Sequence, residues 1–282
     1  MNSNPQDGTS VKKYGLALHT ASRELGLAIS NFAGDSRCKT WNLDRDLATH
    51  LHQYLVEFIG PQTWADLAFI AVAKGPGGFT GTRMGMVTAR TLAQQLDIPV
   101  FAISTLAAVA WAQPPLAKGL LELEPPQPPL AKGGLLTAEP PLAKEELLNT
   151  EPPLAKEGLL NTEPPVAKGG LLNTEPPVVK EGLLSIALQM PAQRGQLFGA
   201  VYSVNKDSGL TELFPDTVMA AESWQEKLET WENSYQLIEV GSELGGSVSS
   251  VLELAYLEWK QGSRPAWWDA LPYYGQHPVQ GK

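Results

Sequence analysis

The chain holds one cysteine, Cys38, in 282 residues, which excludes an internal disulfide framework and suits a reducing compartment. It has no apolar run near the ~18–20 residues that a membrane-spanning helix needs. Met1 to Lys13 is polar and lacks the apolar stretch of a secretory leader, so a cytoplasmic protein is expected. Basic charge is scarce as well, with 21 Lys and Arg against 30 Asp and Glu, a net charge of -9 and a pI near 5.0. A free-standing nucleic-acid binder needs a basic patch, and Lys12, Lys13, Arg83 and Arg90 are too few to build one unaided. No His-x-x-x-His, cysteine cluster or carboxylate pair stands at metal-ligand spacing. His50 and His52 lie two apart on a predicted helix and face different directions. His19 ends a predicted strand, and His277 lies in a Pro/Gly-rich tail. Asp44, Asp46, Asp66 and Asp97 read as caps and surface charges. Ser22, Thr80 and Ser104 have no sequence neighbour that would activate a nucleophile.

What the chain does have is a glycine block, Lys74-Gly75-Pro76-Gly77-Gly78-Phe79-Thr80-Gly81-Thr82-Arg83-Met84-Gly85. It follows the apolar run Leu67–Ala73, short enough for a buried strand, and precedes a helical pattern from Met84 to Leu96, with Pro99 beyond as a stop. Strand, glycine-rich turn and helix is a layout in which backbone N–H groups face a ligand or a partner. The plainer alternative is a tight turn that only packs a helix on a sheet. The block lacks the Gly-Lys-Ser/Thr of a phosphate-binding loop and the Gly-x-Gly-x-x-Gly spacing of a dinucleotide site.

From Pro114 to Leu184 the sequence repeats every twelve residues, as in Pro140-Pro-Leu-Ala-Lys-Glu-Glu-Leu-Leu-Asn-Thr-Glu151. A Pro-Pro pair in each period stops any helix, and no aromatic lies between Trp111 and Phe198. Three larger apolar side chains per unit cannot offset the ordering of roughly twelve residues at about 1–2 kcal/mol each. The array is therefore expected to be a flexible insertion with polyproline-like stretches, set in a surface loop where length costs little.

Strands are expected at Tyr14–His19, Gly26–Ser30, Arg37–Trp41, Leu67–Ala73 and Val100–Ile103, with helices at Asp44–Ile59, Met84–Leu96 and Ser104–Ala112. After the array come a hairpin Ser185–Met190/Gln196–Val204, a helix near Ala220–Trp231, a strand Tyr235–Val240 and a helix near Val248–Gln261. Strands first and alternating strand and helix afterwards give a mixed α/β fold.

Gly75 to Gly85, continued by Thr88-Ala-Arg-Thr-Leu-Ala93 and Ile98-Pro-Val100, resembles the signature of the TsaB (YeaZ) family, where the block commonly reads Gly-Pro-Gly-Ser-Phe-Thr-Gly-Leu-Arg-Ile-Gly. Tyr14-Gly-Leu-Ala-Leu-His-Thr-Ala-Ser22 resembles that family's opening hairpin. Met190-Pro-Ala-Gln-Arg-Gly-Gln-Leu-Phe198 is similar to its Asp-Ala-Arg-x-Gly-Glu-Val-Tyr turn. The resemblance implies a two-lobed actin/Hsp70-like ATPase fold with ribonuclease H-like halves. The expected organisation is a flexible N-terminus at 1–13, an N-terminal lobe at 14–112, the disordered repeat insertion at 113–184 and a C-terminal lobe with tail at 185–282.

The same resemblance implies a non-catalytic scaffold subunit of the machinery that makes threonylcarbamoyladenosine beside the tRNA anticodon. Its partner would be a TsaD-like catalytic subunit, joined in the complex by a TsaE-like ATPase and tRNA, or a second copy of this chain when the partner is absent. ATP and a metal would enter only through those partners, with no cofactor in this chain. TsaD carries a His-Leu-Glu-Ala-His-type metal motif where this chain reads Thr105-Leu106-Ala107-Ala108-Val109. His19 stands where the ATPase fold usually places an Asp, and Pro191 replaces the Asp of the second turn. The helix after the glycine block shows Met84, Met86, Val87, Leu92 and Leu96 over more than one face, and the preceding helix offers Leu47, Leu51, Leu55 and Phe58. Leu51, Leu55, Phe58, Met84, Met86, Val87 and Arg90 are thus the expected partner interface. Gly75, Pro76, Gly77, Phe79, Thr80, Gly81, Arg83 and Gly85 are the structural motif. Two rivals remain: a self-sufficient hydrolase, glycoprotease-like or an ATPase, and a stand-alone interaction protein whose array is the working part.

Overall fold

The computed structural model describes residues 13–113, 185–205 and 209–275. The expectations for the N-terminal residues 1–12, for the array at 114–184 and for His277 lie outside the described residues. In chain order the elements are β1 (Tyr14–His19), β2 (Glu24–Ser30), β3 (Ser36–Asn42), α1 (Leu47–Ile59), β4 (Leu67–Ala73), α2 (Phe79–Leu96), β5 (Val100–Ile103) and α3 (Thr105–Trp111). Then follow β6 (Ser185–Pro191), β7 (Gln196–Asn205), β8 (Gly209–Ala220), α4 (Ala221–Glu229), β9 (Tyr235–Glu239) and α5 (Val248–Lys260).

Two mixed sheets form, ordered β3-β2-β1-β4-β5 and β8-β7-β6-β9. In each, an antiparallel three-strand meander is joined by a parallel strand: β1 pairs β4 with Leu16 beside Ile70, and β6 pairs β9 with Leu188 beside Ile238. The order of the first four strands thus repeats in the second sheet, giving a two-halved mixed α/β architecture. Strand β1 is buried on both faces, as central strands of such sheets are. Leu16 and Leu18 belong to a core with Leu51, Leu55, Met86, Ala89 and Ala93 of α1 and α2. Ala17 belongs to a second core that runs through α3 and α5 to Ile186, Leu188 and Phe198 of the other sheet. A small third core sets Trp224 and Leu228 of α4 against Ala187 and Val201.

Helix α1 forms because Leu47, Leu51, Leu55 and Phe58 recur at helical spacing, and all four are buried. The expected start at Asp44 is instead a 3-10 turn, Asp44–Asp46. Its C-terminus is closed by Arg37 of β3, whose guanidinium donates to the carbonyls of Phe58, Ile59 and Gly60 at 2.9, 2.8 and 2.9 Å. Asp66 completes a capping box with Thr63, and Asp97 closes α2 in the left-handed region at φ 51°.

Two further expectations are corrected. The strand β8 was not expected, because Pro215 and the charges at Glu212 and Asp216 break its alternation. It forms as an edge strand, where a missing N–H is tolerated, by pairing along β7. Helix α2 begins at Phe79, not Met84, so most of the glycine block is helix. Gly81 and Gly85, four residues apart, share one face of α2, while Gly77 precedes its N-cap Gly78. A Cβ at Gly77 would strike the Ala21 carbonyl, at Gly81 the Thr20 carbonyl, and at Gly85 the Thr20 hydroxyl. Thr20 Oγ1 donates to the Gly81 carbonyl at 2.8 Å, and the Gly78 N–H donates to the Ala21 carbonyl at 2.7 Å. The glycines therefore let α2 lie directly on the β1–β2 turn. Alanine in a helix ordinarily gains about 1 kcal/mol over glycine. Here the sign should invert: Gly81→Ala is expected to cost about 1–3 kcal/mol by overpacking, read as a lowered thermal midpoint.

Candidate functional site

Helices α1 and α2 cover the outer face of the first sheet, and between them runs a groove of about 500 Å³. Leu55, Val56, Met84, Val87 and Leu92 give it apolar walls, with His52 and Arg83 beside them. Val56 is 63% exposed and Val87 55%, both large for apolar side chains on a packed helix pair. The expected interface residues divide sharply here. Leu51, Phe58 and Met86 are buried in the chain's own core, and that corrects their assignment to a partner surface. Met86 lies on the stripe with Ala89 and Ala93 that meets the sheet, so Val87, one residue and about 100° further round, turns outward. Leu55 is buried yet walls the groove, and Met84 is half-buried there. Arg90 lies over the Trp267 ring at 5.8 Å.

A larger cleft of about 1270 Å³ opens between the lobes. The β1–β2 turn contributes Ser22 and Arg23, the start of α2 contributes Gly78 and Phe79, and the β6–β7 turn contributes Pro191 and Arg194. Among the described residues no Asp or Glu lines it. Arg23 is exposed and faces Asp44 at 3.8 Å. His19, at the end of β1, is 0% exposed with neither ring nitrogen hydrogen-bonded. Burial lowers its pKa to about 4, so it is neutral at pH 7. Among the described residues no group of three or more His, Cys, Asp or Glu could hold a metal ion. His50 stacks on Tyr54, and His52 lines the groove.

Sequence reasoning missed one polar cluster. Ser104 caps α3 by accepting the Ala107 N–H at 3.1 Å and donates to Asp216 Oδ2 at 2.6 Å. The Tyr202 hydroxyl donates to Asp216 Oδ1 at 2.7 Å, and the Tyr273 hydroxyl to the Asp216 carbonyl. Burial raises the Asp216 pKa, while the bonds from Ser104 and Tyr202 and the charge of Lys74 pull it down. Burial pushes the Tyr273 hydroxyl up to about 12, assisted by the Asp216 charge. Nothing in the sequence spacing pairs residue 104 with 202 or 216.

The family model described as "TsaD: tRNA N6-adenosine threonylcarbamoyltransferase" matches residues 59–131. The chain is 56% identical over 45 residues to the tRNA threonylcarbamoyladenosine biosynthesis protein TsaB of Bacillus subtilis (strain 168). It is 48% identical over 48 residues to the protein of that name from Buchnera aphidicola subsp. Schizaphis graminum (strain Sg). These matches take in 16% and 17% of this chain and only 20% and 23% of those proteins, so the chain spans about a fifth of the length of the curated relatives it matches. By fold it is similar to YeaZ from Pseudomonas aeruginosa, with a TM-score of 0.58 at 16% identity, covering 93% of this chain and 100% of that one. A crystal structure of an uncharacterized protein with similarity to peptidase YEAZ from the same organism aligns at 0.57 and 16% identity, covering 93% and 99%. The chain is thus similar to TsaB proteins over a short segment, and it shares its two-sheet fold with the YeaZ structures.

Proposed function

We propose that this chain is a non-catalytic scaffold subunit of the machinery that makes threonylcarbamoyladenosine in tRNA. The observation that carries the reading is the identity to two proteins named for that biosynthesis. The α1–α2 groove then docks a TsaD-like catalytic subunit, or a second copy of this chain when that subunit is absent. Its exposed valines and adaptable Met84 suit a helix–helix contact in which apolar surface leaves water. ATP, a metal and tRNA enter through the TsaD-like and TsaE-like partners. Where the resemblance places the TsaD metal motif, this chain carries Thr105-Leu106-Ala107-Ala108-Val109 on α3, with no His, Asp or Glu.

Co-purification from a lysate of the source cell, with identification of the bound proteins, tests the assignment: a TsaD-like subunit is expected among them. The isolated chain is expected to hydrolyse neither ATP nor peptides. Steady turnover abolished by a point substitution in this chain would favour the self-sufficient hydrolase instead.

A further inference from the structure

The C-terminal segment reaches the cleft between the lobes, where Tyr274 and Gly275 form part of the lining. The Val100 N–H donates to the Pro265 carbonyl at 3.3 Å, and the Tyr273 N–H to the Lys74 carbonyl at 2.7 Å. Both anchor the segment to the first sheet's end of the molecule. The same Tyr273 reaches the second sheet through its hydroxyl, bonded to the Asp216 carbonyl on β8. Tyr274 packs on Phe79 at 4.5 Å between ring centroids. A Cβ at Gly275 would strike the Phe198 ring of β7, so the chain passes close over that strand. Beneath this strap the Asp216 carboxylate joins Ser104 of the first lobe to Tyr202 of the second.

We propose that Tyr273 and Asp216 form an interlobe latch that holds the two lobes at a fixed opening. Hinge closure would have to break the Ser104–Asp216 bond and the Tyr273 bridge together, because both span the lobes. The bonds at Asp216 are part-buried and share one residue, so losing one leaves its partners less well satisfied and favours loss of the others. The groups facing Asp216 are Ser104, Tyr202, Tyr273, Lys74 and Glu212. The latch is a conformational device and stands whether or not the groove docks a TsaD-like subunit.

The exposed Cys38 on β3 supplies a spin-label site in the first lobe, and Glu222→Cys on the exposed start of α4 supplies one in the second. Pulsed dipolar spectroscopy on the full chain is expected to give one narrow distance. Asp216→Ala should broaden or shift it. Tyr273→Phe, which removes only a hydroxyl, should speed exchange of the Tyr273 amide and the β8 amides about tenfold, the scale of one lost hydrogen bond. A folded Asp216→Ala protein that keeps the narrow distance overturns the latch. Should that variant not fold, hydrogen exchange of the unsubstituted chain decides: a Tyr273 amide exchanging as fast as an open loop overturns the proposal, and protection matching that of β8 supports it.

Discussion

Val87→Glu is expected to weaken binding of a TsaD-like subunit, or self-association, by at least about thirtyfold while the monomer keeps its thermal midpoint. A carboxylate placed at the centre of an apolar contact loses its water without gaining a partner, which costs about 2 kcal/mol or more. In the free chain Val87 is already 55% exposed, so the substitution removes little packing. Val56→Glu, on the facing helix, should act in the same direction. Met86→Glu is the contrast. Met86 is 1% exposed among the residues of α1, α2 and the first sheet. A charge there costs several kcal/mol out of a typical total of 5–15, so this variant should be unfolded or poorly expressed. Binding by titration calorimetry and melting by circular dichroism, on both variants, read the two outcomes. If folded Val87→Glu and Val56→Glu bind as tightly as the parent, the docking face lies elsewhere.

The second large effect is a loss of stability in mild acid through His19. Its pKa falls from 6.5 in the unfolded chain to about 4 in the fold, because burial penalises the charged ring. The fold thus favours the neutral form. The stabilisation is complete above pH 6.5 and is lost progressively as the pH falls from 6.5 toward 4, about 3 kcal/mol in all. Below pH 4 this group adds no further loss. His19→Leu is close in volume and removes two buried polar atoms that lack partners, so its melting temperature should match or exceed that of the parent at pH 5. The carboxylates titrate in both proteins, so the difference between the two pH profiles isolates His19. Parallel profiles from pH 7.5 to 4.5 would sink the assignment.

The sequence by itself determined most of the first lobe. Strands β1, β4 and β5 stand where their short apolar runs place them, since a strand buried on both faces needs no partner's pattern to declare it. Helix α5 likewise follows its 3.6-residue stripe. The motif residues that carry the family likeness are local in the chain and were legible for that reason. Three things were decided only by tertiary structure. Gly81 and Gly85, read as turn formers, lie in the first turns of α2, on the face that packs against Thr20 of the β1–β2 turn. Strand β8 depends on hydrogen bonds along β7, which override a broken alternation. Which apolar stripe of α1 and α2 meets the sheet, and which is left for a partner, depends on where that sheet lies, and periodicity cannot say. The Ser104–Asp216–Tyr202 cluster joins residues up to 112 positions apart, and only the packing of one lobe on the other brings them together.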